Sequence, residues 1–551
     1  MPAVRDGRGP RPRGPLVRVF GPLSGGVRTA SSREPPPLVR PQPRTAGAFP
    51  QRVPRGWLAS PRPWWRSSPS SSLPLAPASS RRRALPPPPP PPPPADDAAD
   101  FVIVGGGTAG STLAARLCTA LPHARVVVLE RGAPRNDTEE LLVRAMRLNT
   151  ATWPVPSLTQ VMTGAPSAGV DGRRLLLLTG ASLGGTSLIN LGQWTLPVGR
   201  GDPVGGWGVT GLNASTAGRY YDRAARTLGV ATPPRRLWQD YTDEWLAAAR
   251  RAGLPTYLGG HRGASPPGGG RGRRSTLRAT RAVISAAGPY GSPVLLLRSG
   301  VGPAGALRAA GIPVAVDLPV GTRMQTRPYG QVDAEYGGLP LAKVNNVTLL
   351  RSPEAFAQWR AGRGGVLGTS AAAGLGRERS GSGSYLVFGF VPLRSPPGRR
   401  EYISACLSNP TSTATLTLPP GNDPTAAPVV APNLLADAGE VATLGACMRT
   451  LQAVTRAFPP AFGMTPVAPA GGAPVDDAFV RATTGTTQHM VGGCGVGRVL
   501  DGGLRVRGVG RLHVVEASAI PSMTPSAGSM ASVYMLGERG AATVKGSGGG
   551  P

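Results

Sequence analysis

The sequence predicts an α/β fold built on a parallel sheet, and three observations support this prediction. A short apolar run at 101–104 has the length of a buried strand. It leads directly into a glycine-rich turn at 105–110 that fits G-x-G-x-x-G. A second apolar run at 125–129 follows and ends in an acid, Glu130. Strand, glycine turn, helix, strand and acid in this order predict a Rossmann-like βαβ unit that binds a dinucleotide, whereas the glycine motif alone would be weak.

Each glycine of the turn has its own task in such a unit. Gly105 permits the tight turn, Gly107 lets the backbone approach a pyrophosphate, and Gly110 lets the helix and the strand pack closely. The amphipathic segment from Ser111 to Leu121 predicts the helix, whose first N–H groups would face the phosphates. Glu130 lies about 20 residues further on, where an acid accepts hydrogen bonds from the adenosine ribose.

The composition argues against nucleic acid as a partner, despite a net charge of +31 over 551 residues. All but two of the 60 basic residues are arginine, the lysines being Lys343 and Lys545, and the chain has 78 glycines and 63 prolines. This bias is typical of GC-rich coding, and no basic module interleaved with aromatic residues is visible. We therefore expect a small-molecule partner.

The segment 1–96 differs from the rest of the chain. It is rich in arginine, proline and serine and contains the runs 81–83 and 86–94 of arginine and proline. Such a composition cannot bury a core, so we expect disorder. It is also typical of an organelle transit peptide, although a simple disordered tail remains open. We expect an organelle protein, in a plastid rather than a mitochondrion, without a transmembrane segment.

Cysteines and histidines do not predict a metal site. The four cysteines lack metal-ligand spacing, and we interpret Cys118 and Cys447 as small core residues. No two of the four histidines are spaced i, i+4. His513 lies in a strand-like run and is interpreted as structural, whereas His123 and His261 are expected in loops.

Two further glycine-rich segments follow the first. In the run 184–187, Gly184 and Gly185 precede two hydroxyl residues, Thr186 and Ser187, which suits a backbone close to a flat cofactor. An ordinary helix N-cap by one of the hydroxyls explains the run equally well. The third segment, 287–303, follows a strand-like run at 283–285 and predicts a helix over 294–298 that starts near Pro293.

Together these blocks resemble the FAD-dependent glucose–methanol–choline (GMC) oxidoreductases. The resemblance covers about residues 100 to 545 and rests on Leu-Glu-Arg-Gly at 129–132, Leu-Gly-Gly-Thr-Ser-Leu-Ile-Asn at 183–190 and the segment 288–302. The C-terminal runs 489–497 and 514–521 agree with it. The sequence of residues 492–501 is similar to that of the plant branch containing mandelonitrile lyases and HOTHEAD-type proteins.

The resemblance implies FAD as the cofactor and a fold of two parts. A Rossmann-like FAD-binding domain would be assembled from the discontinuous segments 97–215, 275–325 and 485–546, with a shortened connection at 216–274. An antiparallel-sheet substrate-binding domain would use 326–484, where 385–392 and 413–418 have strand character and 440–458 helix character. The cofactor contacts implied by the blocks include Asn190, Glu516 and Ala517, besides the residues of the first two glycine segments.

Two departures from the family affect the expected chemistry. The segment 259–274 lacks the strand that the family places there. His489 matches the family's catalytic histidine and is the candidate base, because imidazole suits proton transfer near neutral pH. Its usual His or Asn partner falls on Gly528, which has no side chain. Gln488 or a water could take over the orienting role.

These features favour an oxidoreductase that acts on CH–OH donors, and the two departures predict that its activity is impaired. Three alternatives stay open: a hydroxynitrile-lyase-like enzyme, a degenerate flavoprotein and a relative of the fatty acid photodecarboxylases. For the last, the functional cysteine aligns with Ser408, two residues after Cys406, and the functional asparagine aligns with Gln488. That poor match places it below alcohol oxidation.

Overall fold

The computed structural model describes residues 18–20, 98–132, 159–190, 193–197, 204–230, 242–254, 256–257, 260–261, 277–337, 353–354, 357, 375–380, 383–390, 401–424, 426–524, 526 and 528–546. The strands in these ranges are β1 (Arg18–Phe20), β2 (Ala98–Val104), β3 (Val126–Leu129), β4 (Thr159–Ser167), β5 (Arg173–Gly180), β6 (Gln193–Trp194), β7 (Thr256–Tyr257), β8 (Gly260–His261), β9 (Arg278–Ser285), β10 (Val301–Gly302), β11 (Val316–Asp317), β12 (Pro328–Tyr336), β13 (Leu375–Ser380), β14 (Gly383–Phe390), β15 (Glu401–Ser408), β16 (Thr415–Thr417), β17 (Val429–Ala431), β18 (Met464–Ala468), β19 (Gly485–Thr486) and β20 (Leu512–Val514). The α-helices are α1 (Thr108–Ala120), α2 (Ala214–Leu228), α3 (Thr242–Arg251), α4 (Gly288–Arg298), α5 (Ala304–Ala309), α6 (Ala438–Arg456), α7 (Asp477–Thr483) and α8 (Met530–Lys545).

A parallel five-stranded sheet in the order β1-β3-β2-β9-β20 carries the predicted βαβ unit. Phe101 and Ile103 of β2 point to one face and are fully buried there against Leu113 and Leu117 of α1. This apolar layer holds the helix on the sheet. Helix α1 begins at Thr108, three residues before the predicted start, because the glycine turn itself feeds into the first helical turn.

The sheet is assembled from distant parts of the sequence, as the family resemblance implies. Strand β9 pairs with β2, and β20 pairs with β9, although several hundred residues separate β2 from β20. The edge strand β1 was not predicted: it comes from the N-terminal segment and pairs in parallel with residues 127–129 of β3. At these three residues the expectation of disorder does not hold.

A seven-stranded antiparallel sheet forms the other half of the fold. Its order is β18-β12-β15-β14-β13-β7, and β19 pairs with the start of β12. Helix α6 packs across it, as predicted, and buries Leu444, Met448 and Leu451. A disulfide between Cys406 of β15 and Cys447 of α6 joins sheet and helix. Cys447 is a buried core residue, as interpreted, but its disulfide was not predicted, because its partner 41 positions away carries no sequence signature.

Three local predictions need correction. The strand expected at 413–418 is β16, which pairs with β17 in a separate hairpin and not with the large sheet. The region expected to lack strands contributes β8, which includes His261 and pairs with β6. Helix α4 begins at Gly288, so Pro293 lies inside the helix and not at its start; Pro289 instead occupies the first turn, where no N–H is needed. His123 and His513 lie where predicted, in an exposed turn and a buried strand.

Within the described ranges, the helices are too short or too polar for any of them to cross a membrane.

Candidate active site

Three loops meet at the carboxyl edge of the parallel sheet, and glycine makes their contact possible. A Cβ on Gly105 would lie 2.3 Å from the Ala286 carbonyl oxygen, and one on Gly185 would lie 2.9 Å from the Gly107 Cα. The Gly184 N–H also donates to the Gly106 carbonyl at 2.8 Å. The backbones therefore touch directly, and no larger residue would let the loops close in this way.

A cavity of about 420 Å³ opens between these loops and runs to His489. Its size is that of a small-molecule site. The predicted residues that line it are Gly105, Gly107, Glu130, Gly185, Thr186, Ser187, Asn190, Gln488, His489, Glu516, Ala517 and Gly528. Gly110 and Gly184 do not line it. A Cβ on Gly110 would lie 1.9 Å from the Gly105 carbonyl oxygen, so Gly110 serves the predicted close packing of helix and turn.

Glu130 is held at the end of β3 by backbone N–H groups. Its Oε2 accepts from Gly106 N at 2.8 Å, and its Oε1 accepts from Gly132 N at 2.7 Å. A carboxylate offers about four lone-pair positions, so two remain for a ligand hydroxyl. The predicted contact with a ribose stays a prediction, and the position and capacity of Glu130 suit it.

The second glycine segment forms a short 3₁₀ turn, Gly185–Leu188, which begins after Gly184 in the left-handed region at φ 96°. Neither Thr186 nor Ser187 caps this turn, so the alternative explanation by a helix N-cap is wrong. The Ser187 hydroxyl instead pairs with Thr108 Oγ1 of α1 at 2.7 Å. The pair ties the turn to the first helix beside the cavity. Asn190 donates its side-chain amide to the Met530 sulfur at the start of α8.

Glu516 and Ala517 form the cavity wall below the first glycine turn. Glu516 is almost fully buried, and its Oε2 accepts from the Ser518 N–H at 2.9 Å. Burial raises the pKa of this carboxyl above its ordinary value, against the hydrogen bonds from Ser518, which lower it. The carboxyl group is thus engaged in shaping the turn at 517–519, and a direct contact with a cofactor remains a prediction.

His489 lies in the wall of the cavity, with Nε2 towards Gly528. A Cβ on Gly528 would lie 3.8 Å from His489 Nε2, which confirms that the two positions face each other. The ring's Nδ1 is buried and has no hydrogen-bond partner within the part of the chain that the structure describes. Burial and then the nearby charge of Arg327 lower the pKa of His489 to about 3, so its imidazole is neutral at pH 7.

Gln488 does not reach the reacting end of the cavity with a free amide. Its Oε1 accepts from Leu178 N at 2.7 Å, and its Nε2 donates to the Leu176 carbonyl at 2.9 Å. The side chain thereby fixes the backbone beside His489 to strand β5. The hypothesis that Gln488 replaces the missing partner is not supported, because its amide is already committed to backbone groups.

The photodecarboxylase alternative also loses support. Cys406 is bonded to Cys447, and Ser408 is fully buried in β15. Neither residue lines the cavity.

Sequence reasoning missed part of the cavity wall. The cavity is also lined by residues 286–291, which comprise the link after β9 and the first turn of α4, and by Arg131 and the α8 residues Met530 and Val533. The glycines at 288 and 291 were visible as a third glycine-rich segment, and that segment could have indicated these contacts. Nothing in the sequence of α8 distinguishes the residues that face the cavity from those that face the core.

These observations fit FAD on structural grounds. The glycine cradle leaves backbone N–H groups at the start of α1 beside the cavity, which suits a pyrophosphate, and Glu130 ends the second strand where a ribose is expected. His489 lines the same cavity. A parallel sheet with this cradle defines a dinucleotide-binding oxidoreductase fold.

The comparisons with known proteins give the family. Two family models described as GMC oxidoreductase match the chain, one at residues 99–262 and the other at 410–537. The protein belongs to the GMC oxidoreductases, which confirms the resemblance drawn from its motifs. FAD is the cofactor of this fold, as expected.

Curated relatives include bacterial and plant enzymes. An oxygen-dependent choline dehydrogenase of Paraburkholderia phymatum is 28% identical over 61% of this chain and 59% of its own length. The sinalpyl alcohol oxidase Nec3 of Nesocodon mauritianus is 29% identical, over 47% of each chain. (R)-mandelonitrile lyase 3 of Prunus serotina is 30% identical, over 47% of this chain and 45% of its own. The chain thus matches about half to three-fifths of these relatives.

Solved structures share the fold over a larger part of the chain. A formate oxidase superposes with a TM-score of 0.69 at 18% identity, covering 82% of this chain and 98% of its own. An FAD-dependent oxidoreductase from Chaetomium thermophilum gives 0.66 at 18% identity, covering 81% and 99%. At such identities the agreement concerns the fold alone.

Proposed function

We propose that this protein oxidises a CH–OH group of a small-molecule alcohol, with His489 as the base. The observation that carries the proposal is that His489 lines the same cavity as the glycine cradle, with Nε2 towards Gly528. The substrate's carbinol would lie between the histidine and the cofactor. The sinalpyl alcohol oxidase among the relatives adds support, since its name states oxidation of an alcohol.

The proton of the substrate hydroxyl would pass to His489 Nε2. This nitrogen faces the open space at Gly528, whereas Nδ1 is enclosed. Because the imidazole is neutral at pH 7, it is ready to accept a proton. FAD, when bound, accepts the hydride that leaves the carbinol carbon. The low pKa also makes His489 a weak base, so we expect slow proton transfer unless substrate and cofactor displace water and change its surroundings.

Anaerobic mixing of the purified, FAD-loaded protein with primary and secondary alcohols tests the proposal. We expect the flavin absorbance to bleach, and we expect His489→Ala to slow bleaching by about 10²–10⁴-fold with FAD still bound. His123→Ala is the matched control, because His123 lies in an exposed turn between α1 and β3 and does not line the cavity.

Two results would contradict the proposal. Flavin that stays oxidised with every alcohol, while the protein converts a cyanohydrin, would indicate the lyase chemistry of the mandelonitrile lyase relative. Unchanged bleaching in His489→Ala would show that another group takes the proton.

A further inference from the structure

A second polar side chain borders the space opposite His489. The Cβ that a residue at position 528 would carry lies 3.7 Å from Thr195 Oγ1 and 3.8 Å from His489 Nε2. The glycine therefore leaves a gap that a hydroxyl and an imidazole flank together. Neither the spacing of Thr195 in the sequence nor any motif around it indicated this position.

Thr195 is held firmly in that place. It follows strand β6 directly and is 6% exposed. The preceding Trp194 is buried and packs against Tyr534 of α8, with ring centroids 5.9 Å apart. Helix α8 begins two residues after Gly528, so one contact fixes both walls of the gap relative to each other.

The Thr195 hydroxyl lies beside Gly528 and His489, which line the cavity, although Thr195 itself does not line it. No hydrogen bond joins this hydroxyl to another residue in the described ranges, and Thr195 is 6% exposed. A ligand atom near the position of the absent Cβ, carrying its own hydroxyl about 1.4 Å further on, would bring that hydroxyl within the 2.7–3.2 Å range of either side chain.

We propose that Thr195 orients the substrate hydroxyl and thereby takes the place of the side chain that Gly528 lacks. This inference rests on the proposed alcohol oxidation. The Thr195 hydroxyl donates to the carbinol oxygen while the O–H proton of the substrate moves to His489 Nε2. FAD, when bound, would accept the hydride from the carbinol carbon, so that the C–O single bond becomes a carbonyl. Thr195 itself gains and loses no atoms.

A tertiary alcohol tests the contact without turnover. 2-Phenyl-2-propanol carries a hydroxyl but no carbinol hydrogen, so its binding to the FAD-loaded protein can be followed by calorimetry and by the flavin spectrum. We expect Thr195→Val, which keeps the shape and removes the hydroxyl, to weaken binding about tenfold, and Thr195→Ser to stay within about twofold of the parent. Cumene, which lacks the hydroxyl, should bind all three proteins equally.

Two controls separate the hydroxyl's role from a packing effect. Thr119→Val removes a hydroxyl from the exposed face of α1 and should change nothing. Gly528→Asn places an amide in the gap, so in that background we expect Thr195→Val to have a much smaller effect. If Thr195→Val fails to retain FAD, the binding of 2-phenyl-2-propanol is compared between Thr195→Ala and Thr195→Ser instead. Weaker binding by Thr195→Ala then supports the role of the hydroxyl, and equal binding overturns it.

The outcomes distinguish this inference from the proposed function. Equal binding of the tertiary alcohol by the parent and Thr195→Val, or no binding to the parent at all, overturns the role of Thr195. If alcohols reduce the flavin at the same rate in Thr195→Val, the inference fails and alcohol oxidation stands. If no alcohol reduces the flavin while Thr195→Val still weakens tertiary-alcohol binding, the oxidation proposal fails and Thr195 remains a ligand-orienting residue.

Discussion

Replacing Gly107 by leucine should weaken FAD binding without unfolding the protein. Gly107 has an ordinary backbone conformation at φ −73°, and an added Cβ would meet only the Gly185 Cα, at 3.8 Å. The backbone and its protein neighbours therefore accept a side chain. Because Gly107 lines the cavity, that side chain would extend into the predicted approach to the pyrophosphate.

The size of the effect follows from the crowding. Forcing extra methylene groups into a packed contact costs about 1–3 kcal/mol. At about 1.4 kcal/mol per tenfold change, FAD should bind roughly 5- to 150-fold more weakly, and more weakly still if the phosphates cannot shift. The thermal unfolding temperature of the FAD-free protein should stay within a degree or two of the parent, because no protein contact is displaced.

Gly110→Ala provides the contrast. Its Cβ would lie 1.9 Å from a backbone carbonyl, so the turn and α1 must move apart, and both FAD binding and the stability of the FAD-free protein should fall. Gly218→Leu in α2 is the control, since nothing lies within 4 Å of an added Cβ there. FAD content from absorbance, FAD titration and melting of the stripped proteins are the measurements. A Gly107→Leu protein that binds FAD as tightly as the parent in this titration would refute the reasoning.

Three further predictions concern charge and the N-terminus. In the folded protein the pKa of His489 is about 3, below its ordinary value of about 6.5. The rate of flavin reduction should therefore show no titration of His489 between pH 4 and 8. The free energy of unfolding should decline as pH falls from about 6.5 towards 3, because only the unfolded imidazole takes up a proton in that range. A rate limb near pH 6.5 that disappears in His489→Gln would contradict this pKa. Glu538 of α8 is 1% exposed and accepts hydrogen bonds from Arg116 Nε and Nη2 at 2.9 and 2.7 Å. Glu538→Ala should therefore lower the free energy of unfolding, measured by denaturant titration, by on the order of 3 kcal/mol. A loss below about 0.5 kcal/mol would show that the pair is dispensable. Residues 1–96 fused to a fluorescent protein should direct it into a plastid, and a fusion that stays in the cytosol would count against the targeting role.

The sequence by itself determined the part of this protein that depends on local pattern. The βαβ unit was predictable because apolar strands, a glycine turn and a terminal acid must follow one another within about 30 residues for the backbone to cradle a phosphate. The candidate base and its missing partner were also visible, since the motif around His489 and the count to Gly528 are features of the chain alone. Helix α6 followed from its period, with ends two residues from those expected.

Tertiary structure decided what depends on residues distant in the sequence. Thr195 reaches the gap opposite His489 only because Trp194 packs on α8, and the bond between Cys406 and Cys447 needs a sheet and a helix to meet. Gln488 was excluded as a substitute partner by hydrogen bonds to β5, which lies about 310 residues earlier. Such contacts carry no local signature, because any of many pairings would satisfy the same propensities and burial pattern. Only the packed fold selects one of them.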